Sequence, residues 1–142
     1  MYESLLPVHS SLRYLVLLLL VAVIIKSLMG FSGKKPFGKT DNILGLTLFS
    51  VTHTQLLVGL ILYFISPFVK FSGEGMKDPS VRYWTTEHIV MMIAAIALIT
   101  VARTTSKKMA DSAAKHKRML IFNTLALTVI IVALVMSKRG VI

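Results

Sequence analysis

Four unbroken apolar stretches, about Leu12 to Met29, Ile43 to Ile65, Thr86 to Ala102 and Met119 to Met136, leave this chain few folds to choose from. A helix needs roughly 20 mainly apolar residues to cross about 30 Å of hydrocarbon, and each stretch comes near that length. The runs are continuous rather than alternating, and an open sheet cannot satisfy its backbone in lipid, so strands are not expected. Of the 142 residues 55% are hydrophobic, and they are gathered into these runs instead of being spread as a globular core spreads them. The expected fold is all-α: an integral membrane four-helix up-and-down bundle, one four-span transmembrane domain over residues 1–142.

Turn residues fall between the stretches. Gly30, Gly33, Pro36 and Gly38 follow the first, Pro67 ends the second, and Gly73, Gly75 and Pro79 mark the next connection. Asp78 or Ser80 is expected to cap the third helix, with Pro79 in its first turn. The first stretch is read as a span and not as a secretory signal. No basic residue precedes it, Glu3 is acidic, and it ends in Lys26 without a small-residue cleavage site. No cysteine is present, which removes disulfides and thiolate metal sites.

Charge sorts the connections onto two faces. Lys26, the 30s loop through Asp41 and the segment Arg103 to Arg118 carry a net charge of +8, against +2 for the opposite face with both termini. Counting basic residues alone gives ten against six, and the positive-inside rule puts the basic loops in the cytoplasm and both termini outside. The overall +10 also raises nucleic acid as a partner. The basic residues flank apolar spans without interleaved stacking aromatics, so a lipid bilayer with anionic headgroups is the expected partner instead.

Ionisable side chains inside a bilayer are costly and mark functional sites. His9 lies 17 residues before Lys26, His88 lies 15 before Arg103, and His53 lies 14 after Lys39. At about 1.5 Å per residue these offsets are roughly 26, 23 and 21 Å, a spread smaller than one helical turn. The three imidazoles are therefore expected at one level in the outer half, where a metal or haem iron would draw them together. In an up-and-down bundle the first and third helices are diagonal and parallel, which makes His9 and His88 the favoured axial pair, with His53 as a substitute or supporting group. Thr85 and Ala95 are small residues near His88 that would leave room for a flat macrocycle. Arg13, one turn below His9, and Arg82 could neutralise propionates.

Each residue also has a plainer role open to it. His9 can be an interfacial hydrogen-bonding group, the Thr52-His53-Thr54-Gln55 cluster interhelical glue, and Glu87-His88 a wet helix start. His116, between Lys115 and Lys117, reads as solvated. Met91 and Met92 read as packing, and Asn123 as a bond to a neighbouring helix.

The chain resembles short four-span bacterial membrane proteins, frequent in Bacteroidetes, that carry the label cytochrome b. The likeness lies in His9-Ser-Ser-Leu-Arg13, in His53-Thr-Gln-Leu-Leu-Val-Gly59-Leu-Ile-Leu-Tyr63-Phe and in Glu87-His88. It is also similar to the four-helix cytochrome b561 type, which holds b haem between histidines. The resemblance implies haem b. The fourth stretch lacks a histidine, which leaves one haem at most.

The leading expectation is a membrane electron carrier, with quinone as donor or acceptor, or the haem subunit of a larger membrane complex; no substrate-bond chemistry is evident. Gln55, Thr52 and Glu87 are candidates for a quinone hydrogen bond or a proton path. Two other readings stand beside it: a cofactor-free accessory subunit of a membrane assembly, and a transition-metal protein with three histidine ligands.

Overall fold

The computed structural model describes residues 2–65 and 87–136. Their regular structure is four α-helices: α1 (Tyr2–Ser32), α2 (Lys39–Ile65), α3 (His88–Lys107) and α4 (Ser112–Met136). All four are long and apolar enough to cross a membrane. Even α3, at 20 residues, is about 30 Å long, the thickness of the hydrocarbon layer.

Three helices start earlier than the apolar runs suggest, α1 and α4 by the most. α1 continues through Pro7 to Tyr2, so His9 and Arg13 stand within it. Pro7, in the second turn, has no N–H to offer the Glu3 carbonyl. α4 begins at Ser112 because Asp111 caps it, its Oδ2 accepting the Ala114 N–H at 3.2 Å. The fourth helix therefore does contain a histidine, His116. The proposed Asp78 or Ser80 cap, Pro67, the glycines of that connection, Thr85, Thr86 and Arg82 lie outside the described residues.

The first connection is tightly built. Gly33 N–H donates to the Met29 carbonyl and Lys35 N–H to that of Gly30, each at 2.9 Å, and Lys34 adopts a left-handed backbone with φ 52°. Asp41 then reaches back to the Gly38 N–H at 2.9 Å, half of a capping box that starts α2. The other Asp41 oxygen meets Lys26 Nζ at 3.2 Å, which joins α1 to α2.

α1 packs on α2 and α4, and α3 packs on α4 and α2. This leaves α1 and α3 on one diagonal. The buried cluster mixes Leu20, Val23, Leu48 and Ile99 with Ala95, Ala102 and Ala126. Small buried residues let helix backbones approach closely. Meanwhile Leu18, Phe64 and Val135 remain about seven-tenths exposed. Large apolar groups outside and alanine, serine, threonine and asparagine inside is the distribution expected of helices solvated by acyl chains.

Candidate functional site

At the end of the bundle away from the two basic loops, the diagonal helices α1 and α3 bring His9 and His88 together. Their ring centroids are 6.5 Å apart and their planes 76° apart. Both rings are half-buried. Two imidazoles bound to opposite faces of one iron hold their ring centres about 6.3 Å apart, given a metal–nitrogen bond of roughly 2.0–2.1 Å. The observed spacing thus suits an axial pair. It also suits an edge-to-face aromatic contact, for which this angle is favourable.

α2 shapes the His9 side of the pair. Gln55 Nε2 donates to the His9 backbone carbonyl at 2.8 Å. One turn on, Gly59 faces the same ring: a Cβ there would lie 3.2 Å from His9 Cε1. Gln55 and Gly59 share a helix face because they are four residues apart. A larger residue at position 59 would push the imidazole toward α3.

His53 does not join the pair. It lies two residues from Gln55, so its level along α2 differs by only about 3 Å, but that offset rotates it roughly 200° around the helix. Its Nδ1 instead bonds the Phe49 carbonyl at 2.8 Å, and its ring lies on Phe49 with centroids 4.2 Å apart. Among the described residues, no group of three or more histidines and carboxylates is placed to hold a metal ion.

The surrounding polar groups divide into engaged and open ones. Thr52 is buried and donates to the Phe49 carbonyl at 2.9 Å. Arg13 is half-buried with its Nη2 3.3 Å from the Tyr14 hydroxyl and its guanidinium 5.0 Å from that ring. Arg13 Nε, a donor, and Gln55 Oε1, an acceptor, are buried at this end without a hydrogen-bond partner among the described residues. Buried polar atoms left open in this way are costly. Glu87 directly precedes α3 beside His88, whereas Ala95, expected to leave clearance, is 1% exposed and built into the core.

His116 is the largest departure from the sequence-based expectation. Instead of being solvated it is 1% exposed, its Nε2 3.1 Å from the Lys35 carbonyl and its ring 5.2 Å from that of Phe37. Its neighbours belong to the basic loop, so it stands at the opposite end of the bundle from His9 and His88 and cannot serve that pair. The signals for its burial were Gly30, Phe37 and the cap at Asp111, which draw α4 against the end of α1. Asn123 also differs: it is fully buried, but its amide donates within α4 to Met119 Sδ at 3.9 Å and its Oδ1 has no partner among the described residues.

Comparison with known protein families, with curated proteins and with solved structures finds no significant match to this chain.

Proposed function

We propose that this chain is a b-type cytochrome of the bacterial inner membrane, holding one haem b between His9 and His88 and passing electrons, with quinone as the donor or acceptor or within a larger membrane complex. The observation that carries the reading is the 6.5 Å spacing of two imidazoles from diagonal helices, set in a protein whose outer surface is largely apolar. The resemblance of the His9, His53 and His88 segments to four-span proteins labelled cytochrome b supplies the identity of the cofactor. In the proposed orientation the basic loops are cytoplasmic and the histidine pair lies toward the periplasm.

Bound haem would supply one-electron chemistry, and the protein would tune it through ligand, burial and nearby charge. His9 and His88 would hold the haem. Gln55 fixes the α1 backbone at His9, Gly59 sets how far that ring can retreat, and Arg13 offers its unpaired Nε–H to a propionate. The open Gln55 oxygen can accept a hydrogen bond from a quinol hydroxyl.

The 76° ring contact also favours a second reading, a cofactor-free subunit in which His9 and His88 simply pin α1 to α3. An absorption titration of the purified protein with haem b separates the two. The cytochrome reading expects a Soret band that shifts on dithionite reduction, is lost in His9→Ala and in His88→Ala, and survives in His53→Ala. A protein that takes up no haem, or takes it up equally after all three substitutions, overturns the assignment. Single-turnover oxidation of a quinol by the loaded protein then tests the partner.

A further inference from the structure

The basic end carries a second arrangement that the histidine pair does not use. A cleft of about 310 Å³ opens between the start of α2, the end of α3 and the start of α4, lined by Phe37, Gly38, Lys39, Asn42, Lys107 and Lys115. Three lysines from three different helices converge on it, and no acidic residue lines it.

The nearby carboxylates are committed elsewhere. Asp41 is buried, with one oxygen on Lys26 and the other on the Gly38 N–H. Asp111 caps α4. Asn42 is oriented by a buried cation: Arg103, 6% exposed, donates through Nη1 to the Asn42 Oδ1 at 2.8 Å. With its oxygen turned to Arg103, the Asn42 side chain has its amide NH2 to offer the cleft. Lys115 is held as well, its Nζ 5.3 Å from the centre of the Phe37 ring, a cation–π contact. Phe37 is fixed in turn by donation from its backbone N–H to Ser112 Oγ at 3.0 Å. The cleft therefore presents donors and positive charge, with its aromatic wall and its amide pinned from behind.

We infer that this cleft binds a phosphate group, with Lys39, Lys107, Lys115 and the Asn42 amide as its donors. Lysine ammonium groups act as point charges toward phosphate, and the start of α2 adds the positive end of a helix dipole. The cleft sits at the ends of the candidate spans, on the basic face where anionic headgroups gather. The same phosphate chemistry is offered by an anionic phospholipid and by free phosphate.

The test uses the full chain in phosphatidylcholine nanodiscs, with either phosphatidylglycerol in the bilayer or inorganic phosphate in the buffer. Lipid retention by native mass spectrometry and anion-dependent thermal stabilisation are the readouts. Lys39→Gln/Lys107→Gln/Lys115→Gln is compared with Lys34→Gln/Lys108→Gln/Lys117→Gln, which removes equal charge from the same face outside the cleft. The cleft variant is expected to lose phosphatidylglycerol retention by at least about tenfold while the other variant keeps it. Protection by inorganic phosphate in neutral bilayers, lost in the cleft variant alone, would assign the site to the free anion. Equal losses in the two variants, or none in either, would overturn the inference and leave only a diffuse basic field. If the triple cleft variant does not fold in neutral nanodiscs, the three single substitutions replace it, and unchanged retention in all three overturns the site.

Discussion

The side chain that Gly30 lacks is replaced in space by the imidazole of His116: a Cβ at position 30 would lie 2.3 Å from the His116 ring. This glycine and this histidine define how closely the end of α1 approaches α4. Gly30→Ala is therefore expected to displace the ring and break its bond to the Lys35 carbonyl. Overpacking of this kind costs about 1–3 kcal/mol. Thermal unfolding in detergent should show the loss, and His116→Ala should restore much of it in the double variant. An unchanged melting temperature for Gly30→Ala would contradict the close approach.

Lys34 holds a left-handed backbone at φ 52°, a conformation that costs an L residue roughly 1–2 kcal/mol. Glycine relieves that cost but adds unfolded-state entropy. A net gain of a few tenths to about 1 kcal/mol is expected for Lys34→Gly, and a clear loss for Lys34→Val. Equal stability of the two variants would show that the position is not so constrained.

Arg103 and Asn42 are expected to be coupled. A hydrogen bond to a charged group contributes about 1.5–3 kcal/mol, and removing one partner strands the other. Asn42→Ala should destabilise the protein by that order, and Arg103→Met should then cost little more in the double variant. A double-mutant cycle on unfolding free energy measures the coupling; strictly additive effects would place the two residues in separate environments.

Gly59→Ala pulls in two directions. A helix interior gains about 1 kcal/mol when alanine replaces glycine, while the new Cβ would press on His9 at 3.2 Å. Stability is expected to change little; on the proposed cytochrome reading, haem uptake should weaken and the Soret position should shift, because the His9–His88 spacing is altered. An unaltered titration and spectrum would detach Gly59 from the histidine pair.

The positions of the four helices were legible because continuous apolar runs of this length favour a helix independent of packing detail. Helix ends were less so: α4 extends back to Ser112 through polar residues, and only the Asp111 cap marks that start. Counting along helices was enough to pair His9 with His88, since height along a rod is fixed by residue number. It was not enough for His53, whose level matches but whose azimuth is set by which face of α2 meets α1. His116 was misread for a related reason. A histidine between lysines looks solvated in sequence, and its burial depends on a glycine 86 positions away that removes the obstructing side chain.

Leu18, Phe64 and Val135 leave most of their area outside the bundle, and this has a consequence for handling the molecule. In plain buffer such a belt would bring copies together side by side until it was covered, so apparent oligomers could reflect the choice of amphiphile. Mass measured across several detergents, at matched protein-to-micelle ratios, separates stickiness from true assembly.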